Sequence, residues 1–190
     1  LSMSVLAYCT RKYLKSVNRD VSMLSVMAGA IFAAQMLNWP IPGGTSAHLV
    51  GGALASMIIG PFGGALAMFL NLLVQCILMG DGGITALGAN VFNMAIVDVF
   101  VGYWVYRLSL KVLGEEKRVL GAFLGGWIGI TLAAAACGLE IGLSPQFGYP
   151  ISITVPVMTA WHMALGLIEG AITALVISYL AKRAPDVLVG

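Results

Sequence analysis

Long apolar runs alternate along this chain with short breaks of two kinds, one rich in Lys and Arg and the other in glycine, proline and small polar residues. The first run, Leu1 to Tyr8, leads into the basic string Arg11, Lys12, Lys15 and Arg19 and reads as the inner end of a helix whose start lies upstream, since a span needs about 20 apolar residues. A second helix is expected at about Val21 to Leu37. The break from Asn38 to His48 holds two prolines and two glycines, which cannot continue a helix. A short helix, Ala47 to Ile59, is expected to follow, then a tight turn at Gly60-Pro61-Phe62-Gly63-Gly64 and a helix over Ala65 to Met79. A second glycine-rich loop runs from Gly80 to Asn90. The pattern then predicts helices over Asn90 to Tyr106, Val119 to Leu139 and Val157 to Leu180, with a long connection between the last two.

Hydrophobic residues make up 59% of the 190 residues and charged ones 9%, which excludes a soluble domain with a polar surface. The expected class is all-α: a polytopic membrane bundle of six full or near-full helices plus the inner end of an N-terminal one, seven in all. Residues 1–190 read as a single integral-membrane domain. The basic clusters follow the first, fifth and seventh apolar runs, all on one side if each run crosses, which places them and the C-terminus in the cytoplasm and both glycine-rich loops on the outer face. Nucleic acid is not indicated. The three cysteines, Cys9, Cys76 and Cys137, lie in separate apolar runs without paired spacing and suggest neither a disulfide frame nor a thiolate cluster. No nucleophile motif and no Lys-Ser/Thr phosphate loop accompanies the glycines, so an enzyme is not expected.

Polar residues within apolar runs carry the remaining signal, because they are costly in lipid and should face the bundle. His48, following Thr45-Ser46, is expected at a helix start, where it either presents a nitrogen lone pair to a metal ion or, as a lone histidine more often does, hydrogen-bonds its neighbours in the loop. Asn71 and Gln75 share one helical face; Asn90 and Asn93 share another, with Asp98 deeper. His162 and Glu169 lie on one face but about 10 Å apart along the axis, too far to bind one ion together, and read as a structural polar seam, with metal-ligand duty for either one alone as the alternative. Gly29-x-x-x-Ala33 and Ala30-x-x-x-Ala34 form a small-residue face that serves either internal packing or a partner helix. A stand-alone channel or secondary transporter is the alternative from another class, but no ring of charged or carbonyl positions supports a pore.

The stretches Pro40-Ile41-Pro42-Gly43-Gly44-Thr45-Ser46-Ala47-His48 and Gly80-Asp81-Gly82-Gly83-Ile84-Thr85-Ala86-Leu87-Gly88-Ala89-Asn90-Val91-Phe92-Asn93-Met94-Ala95 closely resemble the CbiM/NikM family, and the helix from His162 through Glu169 resembles that family's last helix. The family comprises substrate-binding components of energy-coupling-factor transporters for cobalt and nickel. The resemblance implies a prokaryotic plasma-membrane protein that captures Ni(II) or Co(II) as substrate, without a resident cofactor. Its implied partners are a transmembrane T component, two cytoplasmic ATPases and a small accessory membrane subunit. It further implies His48 as a metal ligand; Thr45, Ser46, Asp81, Asn90 and Asn93 are then expected to form its supporting shell, and Ala30 and Ala34 remain the candidate positions for a partner-helix face. The family's opening Met-His segment, whose amine, backbone nitrogen and imidazole complete a four-nitrogen set, has no counterpart here; Leu1 matches a position inside the family's first helix. The expectation is that such a segment precedes Leu1 in the native chain.

Overall fold

The structure, a computed structural model, describes residues 1–16, 20–37, 39–41 and 45–188, with only the backbone described for 39–41 and 45–47. Its elements are α1 (Ser2–Leu14), α2 (Val21–Gln35), the strands β1 (Trp39–Ile41) and β2 (Thr45–Ala47), then α3 (Gly52–Val74), α4 (Gly83–Asn90), α5 (Val99–Leu113), α6 (Arg118–Leu143) and α7 (Ile151–Arg183). Wide π-type turns at Gln75–Met79 and Val91–Asp98 extend α3 and join α4 to α5. Four helical runs, Gly52–Met79, Gly83–Leu113, Glu115–Leu143 and Ile151–Arg183, are long and apolar enough to cross a membrane. The chain is a multi-pass membrane protein.

The turn expected at Gly60 is present. Gly60 has φ 76° and ψ 163°, outside helical space, and Pro61 follows it. A Cβ built on Gly64 would lie 2.9 Å from the Ser56 backbone nitrogen, an approach that a straight helix forbids over eight residues. The chain therefore folds back at Gly60, and the segment before it is a short arm of α3 buried inside the bundle. Ala53, Ala55, Ser56 and Met57 on this arm are all fully buried.

Several boundaries differ from the sequence reading. The short helix starts at Gly52 instead of Ala47, because Thr45–Ala47 pairs antiparallel with Trp39–Ile41 and His48 to Gly51 lead into the helix without being part of it. The second glycine-rich loop is shorter than expected: Gly83 to Asn90 is helical, leaving residues 80–82 as the break. Helix α6 runs on through Glu140, so the connection to α7 shrinks to residues 144–150. Glu140 looked like a loop residue, but its carboxylate accepts a 2.7 Å bond from Asn93 Nδ2, which lets it stay on a helix in the bundle. Helix α7 begins at Ile151, with Pro156 in its second turn.

Packing follows the small residues. The α6 ridge Gly121, Gly125 and Gly129 lies against Ser109, Gly102 and Asp98 of the preceding helical run, and α6 and α7 form the most extensive pair. Helix α2 packs mainly against α3. Its start is fixed by Asp20, whose carboxylate accepts from Met23 N at 3.0 Å while the backbone of Asp20 is tied to the Tyr13 hydroxyl of α1.

Gly52 sits at the tightest approach. An added Cβ would meet Asp98 Oδ2 at 2.5 Å, Met94 O at 2.8 Å and Val99 Cγ2 at 2.9 Å. Gly52→Ala should therefore destabilise the fold by about 1–3 kcal/mol, the usual range for overpacking. A lowered thermal unfolding midpoint of the purified protein in detergent micelles checks this.

Candidate metal centre

The backbone between β2 and α3 is not helical, lies within the bundle and needs partners for its N–H groups, since membrane interiors supply no water to satisfy them. Two buried carboxylates from distant helices provide them. Glu169 of α7 accepts from Val50 N at 2.9 Å through Oε2 and from Gly51 N at 2.7 Å through Oε1. Asp98, where the wide turn meets α5, accepts from Ala53 N at 3.1 Å in the first turn of α3. Asp98 thus caps a helix start from another helix, where the free N–H groups and the positive dipole end favour a carboxylate.

A third tie comes from α2. Gln35 Nε2 donates to Val50 O at 2.7 Å, and its Oε1 accepts from Asn71 Nδ2 at 2.7 Å and Gln75 Nε2 at 2.8 Å. Asn71 and Gln75 are buried on the bundle side, as their shared face suggested. Val50 is therefore held at both its N–H and its carbonyl.

This clamp fixes His48 two residues upstream. Its Nδ1 lies 2.8 Å from Leu49 O, a carbonyl that can only accept, so Nδ1 carries the ring proton and Nε2 keeps its lone pair. Metal-binding histidines commonly show this arrangement, with the second ring nitrogen donating to a backbone carbonyl. His48 stands in a wall between two cavities. One, of about 200 Å³, is lined by His48, Gln75, Asp81, Gly82, Asn90, Asn93, Cys137 and His162 among others. The other, of about 160 Å³, is apolar, formed by Ala34, Leu37, Leu49, Leu165, Ile168 and Ile172 with His48 and Glu169 at its edge.

The first cavity brings together His48, Asp81, Asn90, Asn93 and His162 from the residues that the sequence singled out. The side chains of Thr45 and Ser46 lie outside the described residues. Glu169 is absent from the lining of that cavity and instead holds the backbone after His48, while Ala30 is exposed on α2 away from both. Gln35 escaped the sequence reading, although a lone amide at the end of an apolar helix was the available signal. No group of three or more His, Cys, Asp or Glu side chains converges to metal distance among the described residues. The cavity lining instead offers two imidazoles, three side-chain amides, the Asp81 carboxylate and the Cys137 thiol, a mixed set in which the imidazoles suit borderline divalent ions.

Glu169→Ala would leave Val50 and Gly51 N–H unpartnered. At about 1–3 kcal/mol for each buried orphan donor, the loss in stability should be roughly 2–6 kcal/mol. Denaturant unfolding in micelles measures the total, and faster amide exchange confined to residues 50–51 in the folded variant would locate it.

Comparison with known proteins agrees with the fold. The family described as cobalt uptake substrate-specific transmembrane region, CbiM, matches residues 1–187. A relative in Archaeoglobus fulgidus named as a putative fused nickel transport protein is 57% identical over 99% of this chain, which spans 62% of that protein's length. A probable fused nickel transport protein of Lactiplantibacillus plantarum is 40% identical over 90% of the chain, which spans 55% of its length. A crystal structure described as a transition metal transporter superposes with a TM-score of 0.89 at 39% identity, covering 95% of this chain and 84% of that one. The chain belongs to the CbiM family of cobalt-uptake transmembrane proteins.

Proposed function

We propose that this chain is the substrate-capture component of an energy-coupling-factor importer for Ni(II) or Co(II), with His48 as a metal ligand. The observation that carries the reading is the Nε2 lone pair of His48, presented to a polar cavity by a segment clamped at Val50, Gly51 and Ala53. The names of the relatives, with nickel or cobalt transport in several, support the substrate class. Asp81, Asn90 and Asn93 line the same cavity and form the supporting shell. Ser2 Oγ donates to Gly88 O at 2.9 Å, so α1 starts beside the helix that carries Asn90. Donors on a family-type amino-terminal segment would thus arrive at the rim of this cavity.

In this reading residues 1–190 act as one substrate-binding unit in the plasma membrane of a prokaryote, the metal-binding loops face outward, and the basic segments and C-terminus face the cytoplasm. The transport energy comes from partner ATPases through a transmembrane T component, with a small accessory membrane subunit alongside. Helix α2 supplies a surface for that assembly. Ala30 and Ala33 are exposed, and a Cβ placed on Gly29 would meet nothing within 4 Å, so the small-residue face has no partner within the described residues.

His48→Ala should raise the Kd for Ni(II) or Co(II) by at least about 100-fold, at or beyond the upper end of what an outer-shell partner costs. The unfolding midpoint should stay near wild type, because the ring's hydrogen bond is to its own neighbour. Isothermal titration of the purified protein reads the first and thermal unfolding the second.

Ala30→Leu should leave metal affinity unchanged and reduce ATP-driven uptake by the reconstituted complex, since the added side chain protrudes from the small face. Ala34 is a less selective probe: it lines the apolar cavity beside His48, so Ala34→Leu would disturb both. Full uptake by Ala30→Leu would remove α2 from the partner interface.

A further inference from the structure

Asp98 and Glu169 hold neighbouring positions of one backbone segment, yet they hold it differently. Glu169 meets an N–H with each oxygen, at Gly51 through Oε1 and at Val50 through Oε2. Asp98 meets one with Oδ2 alone, at Ala53 N 3.1 Å away. Its Oδ1 is buried and has no hydrogen-bond partner among the described residues. No part of the residue is exposed.

Space and charge limit what can serve Oδ1. A Cβ built on Gly129 of α6 would overlap it, so that glycine lies directly against the oxygen, and Gly52 closes on Oδ2 in the same way. Asp98 lines neither the cavity shared by the two histidines nor the apolar one, so the contents of those spaces are not its partners. Among the described residues the only ion pair joins Arg118 to Glu115. The neighbours that pack on Asp98 from α3 and α6, Gly52, Ala53 and Gly129, carry no charge. The titratable group that acts on it from another helix is Glu169, an acid that repels it.

An ionised carboxyl spreads its charge over both oxygens, so half of it would sit on an atom without a donor and beside a second acid. A buried group in that position gives up its charge instead, because burial without a pair or a hydrogen bond is so costly. The positive end of α3 favours the charged form, but a helix dipole is a smaller effect than the hydration that a fully buried ion loses. The neutral acid keeps the contact that the fold uses. Oδ2 still accepts from Ala53 N as a carbonyl oxygen, and a hydroxyl at Oδ1 loses less by lacking a partner than a charged oxygen would.

We propose that Asp98 is a proton-binding site: Oδ1 carries a proton, and the clamp on the His48 segment therefore contains one neutral acid. The proton stands where a counter-ion or a bridging water would otherwise be needed, and it lets α3 and α6 close with a glycine against each oxygen. This assignment is independent of the reading of His48 as a ligand.

Aspartate-edited infrared spectroscopy of the wild-type protein in micelles tests it. The chain has four aspartates, and the other three, Asp20, Asp81 and Asp186, are exposed, which leaves Asp98 as the one sealed from solvent. Protein labelled with ¹³C at the aspartate side-chain carboxyl is compared with unlabelled protein at neutral pH. The expected result is the C=O stretch of an un-ionised carboxylic acid that moves with the label and is lost in Asp98→Asn, whose amide oxygen can still accept from Ala53 N. Label-sensitive intensity confined to ionised carboxylate bands in the wild type would overturn the proposal, whatever the variant does. So would an un-ionised band that persists in folded Asp98→Asn. Neither outcome bears on metal capture, which His48→Ala tests separately.

Discussion

Backbone N–H groups in a membrane bundle cannot be left without acceptors, and the rest of this structure depends on how three of them, at Val50, Gly51 and Ala53, are met. The chain enters the bundle non-helically after β2, so its own carbonyls cannot serve. Carboxylates from two other helical runs do so, Asp98 and Glu169, both almost fully buried. Burying acidic groups is expensive unless they are hydrogen-bonded, and here the backbone donors offset part of that cost while the carboxylates satisfy the donors. The loop can exist at that depth only because the acids are there, and the acids only because the loop is.

The clamp also explains why glycine recurs around it. Gly52 and Gly129 each lie against Asp98, where a methyl group on either would strike the carboxylate. Helices α3, α5 and α6 can therefore close around one acid, and Gly60 lets the short arm of α3 turn back so that its first turn faces that acid. Gln35 ties the assembly to α2 with a single amide, which leaves the opposite face of α2 unused. The scaffold is thus tied down around the His48 segment and exposed along the small-residue face of α2.

Much of this was legible in the sequence, and what was missed has a common cause. Apolar runs gave the helices, and Gly60-Pro61 gave the reversal, because local chemistry alone decides both. The start of α3 was misplaced since a carboxylate that accepts from its first turn belongs to Asp98, forty-odd positions away. Glu140 read as a loop residue because its partner, Asn93, belongs to another helix. The meeting of His48 and His162 in one cavity was equally invisible: their separation along the chain carries no periodic signal. Asn71 and Gln75 were placed correctly because a shared helical face is a local property. Contacts within an element can be read from spacing, whereas contacts between elements need the fold.

Helix α7 takes part in the site twice, and the two roles are separable by their hydrogen bonds. Glu169 bonds to another segment, so removing it releases the backbone that positions His48. His162 bonds only to Met158, one turn back on α7, so its removal breaks no tie between elements. A change at Glu169 therefore alters where His48 stands, while a change at His162 alters only the lining of the cavity that both histidines share. Since the two residues lie about two turns apart on one face of one rigid helix, any displacement of α7 along its axis would move both together. The position of the His48 segment and the composition of the cavity wall are in this way set by the same helix.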